Sequence, residues 1–243
     1  MLVWRHFIIR NLLKQIQINE KLLFHLGSWE FVIDFHTPTV DVPILADKKL
    51  YIDKQLSFTI WLKTNQSGDN HYFSYPRNET LDDRITQLYT TLTSEMCVLV
   101  KLKIPICFKY DEFKGKWTNV GFVFNEDQNG NLNSKGYVNG KLVKSTNVSH
   151  QLGKPSNEFY KGIVLGNDVD YTNINNPDEF ADAEMSELYM YNRVLTDDEI
   201  MSAFHHKAPV EGRIISWEEF STTLDGKTDV SIKPYPKELF WGN

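Results

Sequence analysis

Asp168 and Asp170 stand one residue apart in "VLGNDVD", residues 164–170. Val164 and Leu165 read as the end of a buried strand, and Gly166 breaks it, so the two carboxylates open a polar loop. Paired acids in a loop have two uses. They build turns by accepting backbone N–H groups, or they supply half of a site for a hard cation such as calcium, which takes about six to eight oxygens from carboxylates and carbonyls. Both readings stay open at this level.

Other chemistry-bearing residues are fewer. His205 and His206 close a short helical run, and adjacent helical residues diverge, which argues against a metal pair. Cys97 and Cys107 fall in neighbouring strand-like runs, "EMCVLV" and "IPICFKY", and read as two buried free thiols in preference to a disulfide, which stays open. No Ser/His/Asp order, nucleophile elbow, phosphate-cradling glycine loop, zinc finger or RNA-binding strand signature is present. The net charge of −6 speaks against a broad nucleic-acid surface.

The elements that would carry these residues show period two. "SWEFVIDFH", "LSFTIWLKT", "DRITQLYTTL", "MCVLVKLK", "ICFKYDEF", "KWTNVGFVFN", "KGYVNGKLVKS", "YKGIVLG" and "SELYMYNRV" read as strands rich in β-branched and aromatic residues. Turn signals lie between them at 66–70, 127–133 and 173–177, and Asn139-Gly140 marks a tight hairpin. Many short strands with regular turns predict an all-β fold, an antiparallel β-sandwich of jelly-roll type. One late stretch, "VLTDDEIMSAFHH", predicts a short C-terminal helix, with Thr196 and Glu199 as a capping box.

Residues 1–27 have a different character. Trp4, Ile8, Leu12 and Ile16 recur every four residues, and Arg5, Arg10 and Lys14 interrupt the apolar runs. An amphipathic N-terminal helix is expected, suited to a transit segment, to docking on a partner or to packing on its own domain. No run reaches membrane-spanning length, so no transmembrane span is expected. Two units follow: a helical extension over 1–27 and a sandwich domain over 28–243.

At "YVNGKL", "IVLGNDVD", "SELYMYNRVLTDDEI" and "IISWEEF" the order of features resembles the laminin-G-like and pentraxin group of concanavalin A-like jelly rolls. "FSYPRNETLDDRI" and the closing "IISWEEFSTTLDGKTDVSIKPYPKELFW" are similar to pentraxin segments, and the resemblance covers about residues 28–241. It implies a calcium site. Asp82 and Asp83 match the family's first acidic pair, Asp168 and Asp170 match two acids of its cluster, and Glu179, or its neighbour Asp178, matches a late ligand. The family's disulfide positions fall on Trp61 and Gly121, so that bridge is missing.

The same sandwich hosts laminarinase-type glycosidases, which use two carboxylates about 5 Å apart on one strand. "DAEMSE" places Asp182, Glu184 and Glu187 at similar spacing with the order of acids changed, and Glu184 aligns with a structural acid. No enzyme is expected. Three sequons occur, at Asn65, Asn78 and Asn147, and read as chance in a chain rich in Asn, Ser and Thr.

The function expected is a non-catalytic accessory or scaffolding subunit of a larger assembly, docked to protein partners through the N-terminal helix. The lack of a secretory core and the basic helix suggest an intracellular place, with a mitochondrial inner-membrane complex as the best fit. The competing expectation is a calcium-dependent, lectin-like module that binds carbohydrate or phosphorylated head groups.

Overall fold

The computed structural model describes residues 31–35, 44–45, 54–64, 70–76, 84–100, 103–150, 152, 162–167, 180–224 and 230–234. The helix expected over 1–27 lies outside the described residues. The strands are β1 (Phe31–Phe35), β2 (Ile44–Leu45), β3 (Gln55–Thr64), β4 (Asn70–Pro76), β5 (Arg84–Thr90), β6 (Glu95–Val100) and β7 (Lys103–Lys109). They continue as β8 (Thr118–Glu126), β9 (Asn131–Val138), β10 (Lys141–Ser149), β11 (Ile163–Leu165), β12 (Ala183–Tyr191), β13 (Arg213–Ile215) and β14 (Ser231–Pro234). Two helices, α1 (Asp197–Phe204) and α2 (Trp217–Ser221), follow β12 and β13.

Two antiparallel sheets result. The larger runs β10-β9-β8-β3-β12-β1-β14, with β13 beside β12, and the smaller runs β2-β11-β4-β5-β6-β7. The expected all-β jelly-roll sandwich with a short C-terminal helix is what the structure shows. Alternation along the strands sets the core between the sheets. Leu56, Phe58, Ile60 and Leu62 of β3 face Val120, Phe122 and Phe124 of β8, all fully buried. Phe58 meets Phe73 of the opposite sheet edge-on at 5.0 Å between ring centres, a favoured aromatic geometry.

β3 is buried on its other face too, because α1 lies there. Gly121 of β8, opposite Thr59, makes room: a Cβ on it would stand 3.3 Å from Ile200 Cδ1. The positions where the pentraxin bridge would fall, Trp61 and Gly121, thus sit on the adjacent paired strands β3 and β8, and here they hold an indole and a helix seat. α1 starts as its sequence predicts. The Thr196 hydroxyl accepts from the Glu199 N–H at 3.2 Å, and Glu199 accepts from the Thr196 N–H at 2.9 Å. The hairpin at Asn139-Gly140 also forms, with φ of +48° and +76°, as a tight primed turn requires.

The two cysteines correct the free-thiol expectation. Cys97 and Cys107 are register partners on β6 and β7, and they form a disulfide with Cα atoms 4.2 Å apart. Residues paired directly across antiparallel strands bring their Cβ atoms within bridging range. Only the pairing register, not the residue type, reveals this.

Candidate recognition rim at the acidic loops

The smaller sheet carries two loop stems on its adjacent strands β11 and β4. β11 is a run of three buried apolar residues between β2 and β4. Its end is turned by Gly166, at φ +77°, where a Cβ would lie 2.4 Å from the Phe35 ring. Only glycine fits both the conformation and the space. Its N–H donates to the Tyr72 carbonyl at 2.8 Å, and its carbonyl accepts from Ala181 at 2.9 Å. Asn167 then pairs with Phe180 as an antiparallel bridge. The loop over 168–179 is therefore closed at its base.

The second stem belongs to the β4–β5 hairpin. Pro76 pairs with Arg84 and closes the segment 77–83. The two stems are tied together by the buried Ser74, whose hydroxyl donates to the Asn167 carbonyl at 3.1 Å. Ser74 is two residues from Pro76, about 7 Å along an extended strand. After the turn at Gly166, Asn167 therefore lies against β4, the strand that leads into the segment carrying Asp82 and Asp83. The candidate ligands themselves, Asp82, Asp83, Asp168, Asp170 and Glu179, lie outside the described residues. Among the described residues, no group of three or more His, Cys, Asp or Glu side chains could hold a metal.

Acids elsewhere have other work. The Asp127 carboxylate accepts N–H groups of Asn129 and Asn131 at 2.8 and 2.9 Å and builds the β8–β9 turn. The three acids with glycosidase-like spacing are held by different partners. The Asp182 carbonyl accepts from the Thr64 hydroxyl at 2.9 Å. Glu184 accepts from Lys233 at 2.9 Å and lies 3.4 Å from Lys63. Burial would raise its carboxyl pKa, but the Lys233 hydrogen bond and the two ammonium charges outweigh it and hold the group below its ordinary range. Lys233 also pairs with Asp34, which is fully buried. Glu187 is bonded to His206 Nδ1 at 2.8 Å.

His205 and His206 part as expected. His206 stacks on Trp61 at 4.9 Å, and His205 leans on Phe204. Sequence reasoning did not reach the Asp34–Lys233–Glu184 network, because its members lie far apart along the chain. It also passed over α2, although Ser216 and Glu219 have the spacing of a capping box, and the structure forms that box.

A second feature lies on the outer side of the larger sheet. Phe113, Val138, Val143, Met201 and Phe204, with Asn139 and Lys141 at the margin, line an open apolar groove of about 470 Å³. Val143 and its neighbour Leu142 are roughly half exposed there.

Two antiparallel sheets in this order define a lectin-like sandwich. A laminin-G family model, described as the concanavalin A-like lectin/glucanases superfamily, matches residues 40–201. The chain belongs to that superfamily. Among solved structures it is similar to a native heptameric SAP-like pentraxin from Limulus polyphemus, at 18% identity and a TM-score of 0.60, covering 86% of this chain and 97% of that one. It is also similar to domains LG4-5 of the mouse laminin alpha1 chain, at 14% identity and a TM-score of 0.47, covering 68% and 43%. Trypanosoma rangeli sialidase in complex with sialic acid matches at 12% identity and a TM-score of 0.46, covering 62% and 23%. A comparison with curated proteins gives no match. No helix among the described residues is long and apolar enough to cross a membrane.

Proposed function

We propose that the chain is a non-catalytic recognition module whose acidic loops hold calcium and, through it, oxygen-rich ligands such as carbohydrate or phosphorylated head groups. The observation that carries this reading is the Ser74–Asn167 hydrogen bond, which ties the stem of one acidic loop to the strand leading into the other. Carboxylates gathered at one rim repel one another unless a cation joins them. Asp82, Asp83, Asp168, Asp170 and Glu179 are hard-oxygen donors, the ligand type that suits calcium's large and adaptable shell. The ion would neutralise the rim and leave coordination positions for ligand oxygens.

The Cys97–Cys107 disulfide supports placement in an oxidising compartment, since such bonds are rare where thiols are kept reduced. This turns the balance away from the mitochondrial accessory subunit. Docking in a larger assembly is retained as a second reading because of the apolar groove beside α1. Calcium-dependent thermal stabilisation tests the first reading. A melting temperature equal in EDTA and in excess calcium would remove it.

A further inference from the structure

We infer that Asn147 is an acceptor for N-linked glycosylation, with the oligosaccharide standing off the exposed edge of the larger sheet. Asn147-Val148-Ser149 forms a sequon on β10. β10 is the terminal strand of its sheet, and its residues alternate: Thr146 and Val148 turn inward, while Asn147 and Ser149 are exposed. Val148 packs against the core, and the Thr146 hydroxyl donates to the Pro105 carbonyl at 2.8 Å. The strand is thus held by its inward residues. The acceptor amide stands free of the core. Its side chain meets Asn133 on β9, where Asn147 Nδ2 donates to Oδ1 at 2.7 Å. A glycosylated amide nitrogen keeps one hydrogen, so that contact survives modification.

The chemistry asks for a compartment as well as a surface. Asn147 Nδ2 attacks the anomeric carbon of an oligosaccharide carried on a lipid diphosphate. The C–N bond forms, the carbon–oxygen bond to the diphosphate breaks, the lipid diphosphate leaves with the electron pair, and the amide loses a proton. In cells with a secretory pathway this transfer occurs where disulfides are also made, and the Cys97–Cys107 bridge is an independent sign of such a compartment. Placement on β10 has a physical use too. An edge strand with Leu142 and Val143 about half exposed invites pairing with another chain, and a bulky solvated oligosaccharide on the same strand blocks that approach.

The test uses the full chain behind a cleavable secretion signal in cultured eukaryotic cells, with cells and medium both collected. N-glycans are released enzymatically in heavy-oxygen water, and the peptide carrying residue 147 is read by mass spectrometry. The expected result is labelled aspartate at 147, and one oligosaccharide fewer in Asn147→Gln or Ser149→Ala with the disulfide still formed. Ser149→Thr keeps the modification. An unlabelled residue 147, whether in secreted or in retained chain, overturns the inference. The calcium reading does not enter this test.

Discussion

Ser74 and Asn167 are 93 positions apart, yet the hydroxyl of one donates to the carbonyl of the other at 3.1 Å in the buried base of the smaller sheet. This bond joins the two loop stems on which the proposed cation rim depends. In Ser74→Ala the Asn167 carbonyl loses that donor. The expected cost is about 1 kcal/mol in denaturant unfolding. The gain in melting temperature on adding calcium should shrink as well. A variant that loses stability while keeping the full calcium response would separate the bond from the rim.

Gly166→Ala should be more damaging. The added methyl would stand 2.4 Å from the Phe35 ring, and the residue would be held at φ +77°. Backbone strain alone is worth about 1–3 kcal/mol, and the clash adds to it. Low soluble yield or a strongly reduced urea midpoint is the expected outcome, checked beside Gly130→Ala, at φ +76° in an exposed turn, which carries the strain without the clash.

Removing the Cys97–Cys107 bridge by Cys97→Ser with Cys107→Ser tests the cross-strand register. The bridge closes a separation of 10 residues, and the loop-entropy relation gives about 3 kcal/mol for a loop of that size. Alkylation of the unfolded chain without reductant should label neither cysteine of the wild type.

Helix α1 should carry an acid-sensitive contribution. Glu199 receives Arg193 at 2.9 and 2.5 Å and the Thr196 N–H at 2.9 Å. The Arg193 hydrogen bonds in the first place hold its pKa at about 2, against an ordinary 4.5. A depressed carboxylate stabilises fully above the unfolded value and loses that contribution as pH falls through the folded one. Glu199→Gln should therefore be less stable than wild type near neutrality, by about 1 kcal/mol for a partly exposed pair. The gap should close between pH 4.5 and 2. A gap independent of pH would mean that packing, not charge, is lost.

Local signals carried much of the fold. Asn139-Gly140, the Thr196–Glu199 box and the alternation in β3 and β8 each encode their structure within a few residues. β4 was missed because His71, Ser74 and Pro76 make it look polar, although Ser74 is buried against Asn167. The disulfide was missed for a different reason. Cys97 and Cys107 face each other only when the β6–β7 register is known. Lys233 reaches Asp34 and Glu184 through strand order, which places β14 beside β1 and β1 beside β12. Non-local pairing of this kind leaves no mark in a short window of sequence. The acidic loops were legible as composition and as a family pattern, and the structure adds the bond between Ser74 and Asn167 on the strands that lead into them.

The most direct measurement is thermal unfolding of the full chain in excess EDTA and then in millimolar calcium, repeated with Asp168→Asn. Calcium at about 100 times its dissociation constant stabilises the folded state by roughly 2.7 kcal/mol. The account predicts a clear rise in melting temperature that Asp168→Asn abolishes. Identical melting in both conditions would contradict it, and would leave Asp168 and Asp170 as solvated turn residues.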